Sequence, residues 1–267
     1  MADLAKIRAD LEREHADLDA IVSSLDEDAW ATPTPAEGWD VRDQVGHLAF
    51  FDEQATFAIR DPEGFSARLQ EIAADVGAFL DDSVAKGRAL PGNEVLGWWR
   101  GARREMMLAF EDVDADRRIA WYGPPMKPAS FMSARLMETW AHAQDVADAL
   151  GLERTPTSNL RHVAHIAVLA RPFSYTNNGL SVPSEPVYVE LRAPDGSNWV
   201  WGEEAPNSVR GDALDFCLVA TRRRHLEDTR LEVRGDRARE WMSIAQTYAG
   251  PPGSGRQPGQ FAKRGTS

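Results

Sequence analysis

Apolar residues recur at three- and four-residue steps from the start of the chain. Leu4, Ile7, Leu11, Leu18, Ile21, Val22 and Leu25 fall on one stripe, which predicts a long amphipathic helix. His15 lies on that helix and is expected at its surface or rim. A loop rich in Pro and Thr (Pro33, Thr34, Pro35) leads to Gly38-Trp39. Asp40 then offers an N-cap, with Asp43 in the capping-box position three residues on, and the helix is expected to run through His47 to about Arg60. Further helices are predicted over 63–86, ending near Gly87, and from Pro91-Gly92-Asn93 through Trp98, Trp99, Met106, Met107 and Phe110. After a loop around Gly123-Pro124-Pro125, a helix starting near Ser130 should end at Gly151, the glycine expected in the left-handed conformation past a helix C-terminus. Helices joined by short loops indicate an up-and-down four-helix bundle over residues 1–152.

The pattern changes after Gly151. Thr155-Pro156-Thr157-Ser158 reads as a linker into one more helix over 158–172. Residues 186–192 have strand character, Ala193-Pro194-Asp195-Gly196 is turn chemistry, and 198–201 give a second short strand. A helix over 212–224, a strand near 229–233 and a helix over 236–248 complete a small α+β domain spanning 153–250. The overall class is α+β. Residues 251–267 hold Gly, Pro, Ser and Gln with Arg256, Lys263 and Arg264 against no acid, and are expected to be a disordered tail.

Composition narrows the functional classes. The chain of 267 residues carries a formal net charge of −12 and a pI near 5.0. Such a surface repels a phosphate backbone, and the only dense basic run is Arg222-Arg223-Arg224, so nucleic acid is excluded as a partner. No stretch approaches the roughly 18–20 apolar residues that cross a bilayer. The first residues mix both charge signs and lead straight into an amphipathic pattern, so no signal peptide is expected and the protein is placed in the cytosol. One cysteine, Cys217, excludes an internal disulfide and a thiolate-rich metal site. Its neighbours Asp215-Phe216-Cys217-Leu218-Val219 predict a buried, inert thiol.

The strongest local signal for chemistry is Glu138-Thr-Trp-Ala-His142. Positions four apart stack on one helix face, so both side chains can reach one ion. An oxygen and an imidazole nitrogen suit zinc first, with nickel and ferrous iron compatible. Such pairs also arise by chance in helices, and a lone inward histidine such as His47 is more often a core residue. Taken together, however, His47 on one inward helix face and Glu138 with His142 on another supply three ligands from facing helices. Three protein ligands with an exchangeable fourth position form the catalytic arrangement. His162 and His165 have no carboxylate partner in sequence, and His225 is expected to end a helix. The tryptophans are core by default, although Trp121 precedes the proline-rich loop before the ligand helix and could line a pocket over the metal. There is no phosphate loop and no Gly-x-Ser-x-Gly elbow.

These segments resemble a known family. Residues Gly38-Trp39-Asp40-Val41-Arg42-Asp43-Gln44-Val45-Gly46-His47-Leu48 resemble the Gly-Trp…His-Leu signature of the DinB-like bundles, in particular the mycothiol-dependent maleylpyruvate isomerase family. Residues 134–151, with an Arg, then Glu-x-x-x-His-x-x-Asp and a closing Leu-Gly, resemble its second signature. The likeness covers roughly residues 1–250. It implies that His47, Glu138 and His142 hold one divalent metal. Asp145 is then either an outer acceptor that orients an imidazole or a surface residue. The pattern Val209-Arg210-Gly211-Asp212-Ala213, followed by a helix and an Arg cluster, also resembles the family and implies that an arginine there serves the active site. Arg223 is the candidate, with Arg222 and Arg224 as neighbours, and a solvated basic helix end is the competing reading.

The resemblance further implies a bacterial enzyme acting on a small metabolite. A thiol cofactor, mycothiol, activated at the metal would add to a cis double bond and leave the trans product. Three readings stay open: a mycothiol-dependent isomerase or S-transferase, a thiol-independent metal-dependent hydrolase, lyase or cyclase, and a non-catalytic metal-binding module. The loop Trp121-Tyr122-Gly123-Pro124-Pro125-Met126-Lys127 is lean in groups for a bulky sugar-bearing thiol, Lys127 excepted. A monomer or a homodimer is expected.

Overall fold

The computed structural model describes residues 4–72 and 76–261. The chain divides into two compact units, Met1–Arg154 and Thr155–Ser267. The first is helical, with α1 (Leu4–Val22), α2 (Glu27–Trp30), α3 (Val41–Arg60), α4 (Pro62–Ile72), α5 (Val76–Arg88), α6 (Gly92–Ala109) and α7 (Pro128–Ala149). Helix α3 packs on α6, α5 and α7, and α1 packs on α7, so α1, α3, α6 and α7 make the four-helix bundle. Its core includes Leu18, Val22, Val45, Leu48, Trp99 and Val146, all fully or almost fully buried. Each such aliphatic side chain contributes about 1.5–3 kcal/mol on removal from water. The single helix expected over 63–86 is instead α4 and α5; residues 73–75 between them lie outside the described residues.

Local chemistry fixes the ends of the two helices that matter most. Asp40 and Asp43 form both halves of the capping box at the start of α3. Helix α7 begins at Pro128, two residues before the expected Ser130, because proline lacks only an N–H that the first turn leaves without a partner anyway. Past its end, Gly151 takes φ +66°. Leu152 N–H bonds the Ala147 carbonyl and Gly151 N–H bonds the Asp148 carbonyl, the paired closure that a left-handed glycine permits.

His15 is not at the surface. It is 4% exposed and meets Trp99 edge-on at 5.9 Å between ring centroids. Its place four residues after Leu11 and three before Leu18 puts it on the buried stripe. Burial, with the charges of Arg103 and Arg135, lowers its pKa to about 3, so the ring is neutral. A buried ion pair ties α7 to α3: Arg135 Nε and Nη2 both donate to Asp52 Oδ1, at 3.0 and 2.9 Å.

The second unit holds α8 (Leu160–Leu169), α9 (Arg171–Asn177), β1 (Tyr188–Arg192), β2 (Asn198–Trp201), β3 (Ser208–Asp212), α10 (Ala213–Ala220), a 3-10 turn (Leu226–Asp228), β4 (Glu232–Arg234) and α11 (Asp236–Ile244). The helix expected over 158–172 breaks at Ala170, because Pro172 has no N–H to continue the ladder. The sheet order is β2-β1-β3-β4. Strand β1 pairs antiparallel with β2 and parallel with β3, which pairs antiparallel with β4. Helix α10 packs on β1, β3 and α8 and stops at Ala220, short of the expected 224. Arg222, at φ +61°, turns the chain there. His225 begins the 3-10 turn by accepting from Glu227 N–H rather than ending a helix.

Residues 251–261, the described part of the expected disordered tail, have no helix or strand but are anchored. Arg222 donates to the Gly253 carbonyl. Asp228 accepts from the backbone N–H groups of Gly259 at 2.7 Å and Phe261 at 3.4 Å, and the Arg224 guanidinium lies 3.7 Å over the Phe261 ring. Residues 262–267 lie outside the described residues. No helix among the described residues is long and apolar enough to cross a membrane.

Candidate metal centre

Helix α3 brings His47 to the inner side of the helical unit through a close helix crossing. Gly46 and Gly87 face each other there, so that a Cβ at position 46 would sit 3.4 Å from the Gly87 Cα. That approach lets Ser83, one turn before Gly87, reach His47 Nδ1 at 3.2 Å. Helix α7 stacks Glu138 and His142 one turn apart, with His142 Nε2 3.4 Å from Glu138 Oε2. The His47 and His142 ring centroids are 4.7 Å apart. One ligand atom from each of His47, Glu138 and His142 lies within 4.8 Å of the others. His142 is buried, and His47 and Glu138 are half-buried.

The donor set fits a divalent ion. Two imidazole nitrogens and a carboxylate oxygen are the ligand types of catalytic zinc sites. Tetrahedral bonds of about 2.1 Å place neighbouring ligand atoms about 3.4 Å apart, the separation found between His142 Nε2 and Glu138 Oε2. Each imidazole also has a polar partner, Ser83 Oγ at His47 Nδ1 and Gln44 Oε1 at His142 Nδ1, the latter at 2.6 Å, as metal-binding histidines usually have.

Aromatic rings wall the centre. Trp39 stacks on His142 at 6.1 Å and tilts against His47 at 5.0 Å. Phe51 lies 4.5 Å from the His47 ring and continues into Phe79, Trp121 and Tyr122. Such an apolar wall strengthens the pull of charges beside it. Tyr122 Oη donates to Gln54 Oε1 at 3.1 Å, and burial raises its pKa, so it stays a neutral phenol and is no base. On Trp39 a groove of about 520 Å³ opens, lined also by Thr34, Asp40, Arg42 and Arg88.

The other residues singled out by sequence have partners and surroundings of their own. Asp145 is buried, which excludes its surface reading. In the second unit Arg223 Nη1 donates to the Thr221 carbonyl at 2.7 Å, while Arg222 is spent on the carbonyls of Ile244, Ala245 and Gly253. His165 Nδ1 accepts from Trp201 Nε1 at 3.1 Å. Lys127 pairs with exposed Asp116 at 2.7 Å. Cys217 is fully buried, and burial raises its thiol pKa well above the usual value. Sequence reasoning missed Gln44 and Ser83. Gln44 stands three residues before His47, on the same face of α3, a spacing that could have flagged it.

Fold and site together define a two-unit α+β protein with a candidate metal centre in its helical bundle. The family model described as the mycothiol maleylpyruvate isomerase N-terminal domain matches residues 11–147, just over half of the chain. The chain therefore belongs to that family. Two proteins of Mycobacterium tuberculosis, described as uncharacterized, from strain CDC 1551 / Oshkosh and strain H37Rv, are each 45% identical to it over 257 residues. Those alignments cover 96% of this chain and 100% of each relative. Among solved structures, the mycothiol-dependent maleylpyruvate isomerase shares the fold with a TM-score of 0.58 at 15% identity, over 83% of this chain and 90% of that one. A mutant of that isomerase matches equally well, at 14% identity. A model described as wyosine base formation also matches residues 183–234, a segment too short to assign a family.

Proposed function

We propose that His47, Glu138 and His142 bind one divalent metal ion, zinc first among the candidates, and that the protein is an enzyme which uses a low-molecular-weight thiol, mycothiol, to isomerise or thiolate a small unsaturated metabolite. The observation that carries this reading is the convergence of three ligand atoms of the catalytic type within 4.8 Å, from two helices. When bound, such an ion acts as a Lewis acid and lowers the pKa of a coordinated thiol or water.

The chain's own residues supply the rest. Trp39 and Phe51 flank the imidazoles and keep water off the reacting groups. The groove on Trp39, with Asp40, Arg42 and Arg88, offers hydrogen-bonding groups to the hydrophilic bulk of such a thiol. Ser83 and Gln44 hold the imidazoles in place. The only cysteine is buried with its pKa raised, so the chain provides no nucleophilic sulfur and the thiol has to come from outside.

The test is turnover of cis-unsaturated acids, maleylpyruvate among them, by zinc-loaded protein with and without mycothiol. The expected result is formation of the trans product only when the thiol is present. Turnover of the same panel without thiol would support the metal-dependent hydrolase, lyase or cyclase reading instead. No reaction under either condition would support a binding module.

A further inference from the structure

Gln44 belongs to a hydrogen-bond chain whose direction is forced by its end. Thr34 Oγ1 lies 2.9 Å from the Trp39 backbone carbonyl. A carbonyl oxygen can only accept, so the single hydroxyl proton of Thr34 goes to it. Towards Gln44, 2.9 Å away, the Thr34 oxygen is then an acceptor, and the amide must present its NH2 group. That choice settles which way round the amide lies, a matter that atom positions alone leave open. The Gln44 carbonyl oxygen is thereby turned to His142 Nδ1 at 2.6 Å. It too can only accept, so Nδ1 carries a hydrogen, and Nε2 is the nitrogen directed at Glu138, 3.4 Å away.

We infer that Gln44 is a positioning residue: with Thr34 and the Trp39 carbonyl it locks His142 in the Nδ1–H tautomer, so that Nε2 offers its lone pair to the metal before any ion arrives. An imidazole free to choose would place its proton on the nitrogen facing the carboxylate, where it is attracted, and would have to give it up on metal binding. The lock removes that competing state. Its parts are local to the motif: the loop that presents Trp39 supplies the terminal acceptor, and α3 supplies both Gln44 and, one turn on, His47. Gln44 is fully buried, so solvent offers its amide no substitute partner. The inference rests on the metal centre proposed above.

Two measurements test it. In the metal-free wild type at alkaline pH, the ring nitrogen shifts of His142 in 15N-labelled protein should report a protonated Nδ1 and an unprotonated Nε2; the reverse tautomer would overturn the lock. Zinc affinity, by competition with a chromogenic chelator, should fall roughly 10- to 100-fold in Gln44→Leu. It should fall less in Thr34→Val, which keeps the shape and removes the director, and least in Gln44→Glu, whose carboxylate still accepts from Nδ1–H. Wild-type affinity in both Gln44→Leu and Thr34→Val would contradict the inference, and Thr34→Val, at a half-buried loop position, serves if the Leu variant does not fold. Wild-type protein that binds no zinc would overturn the metal centre itself, and the tautomer measurement would still decide the lock.

Discussion

His15 lies on the buried stripe of α1, where burial and the charges of Arg103 and Arg135 lower its pKa from 6.5 to about 3. The unfolded chain takes up a proton on this ring below about pH 6.5, and the folded chain does so only near pH 3. Between those values the unfolded state holds more protons, so stability is complete above pH 6.5 and declines as the pH falls, by up to about 1.4 kcal/mol per pH unit. Urea midpoints measured from neutral to acid pH should show this slope in the wild type and a flatter profile in His15→Leu; parallel profiles would contradict it. The same residue shows where sequence reading slips. The stripe through Leu11, Leu18 and Val22 passes through position 15, but a histidine on a first helix reads as polar, and only the packing of Trp99 against it reveals a dry site. Gln44 and Ser83 were hidden for a related reason. Spacing puts Gln44 on the His47 face of α3, but each of these polar side chains gains its meaning from a partner 98 or 36 residues away in sequence, and no periodicity encodes that pairing.

Among the elements, α3 and α7 carry the candidate ligands, and the Asp52–Arg135 pair joins them one to two turns from the donors. Both side chains are almost fully buried. Removing one partner leaves an uncompensated charge in the core, at a cost of about 3–5 kcal/mol. Arg135→Met should therefore lose about that much in urea denaturation, while the double variant Asp52→Leu/Arg135→Met should lose clearly less, because no orphaned charge remains. Equal losses would show that the pair matters by shape alone. The helices bearing the ligands were legible in the sequence because the Asp40–Asp43 capping box and the Gly151 closure are local signals. Strand β3 was not. Its five residues, Ser-Val-Arg-Gly-Asp, alternate weakly and include a glycine, and they become a strand by pairing in parallel with β1, a non-local contact. The break between α8 and α9 was announced by Pro172, which the apolar run on either side of it outweighed.

At the scale of the whole molecule, the α+β class and the family were both readable from the chain. The signature around His47, and the second one as far as residue 147 with Glu138 and His142, fall in the region that the family model matches. Fold likeness alone does not carry the activity, since the isomerase structures are only 14–15% identical to this chain, so the account stands on the three side chains. Their convergence depends on α3 and α7 lying face to face, which helical periodicity predicts only as a pair of apolar faces and which packing makes specific. The most direct test is elemental analysis of protein purified after zinc supplementation, comparing the wild type with His47→Ala and His142→Ala. The account predicts about one divalent ion per wild-type chain and loss of that ion in both variants, with folding retained by circular dichroism. Metal content equal in all three, or absent from the wild type, would contradict it.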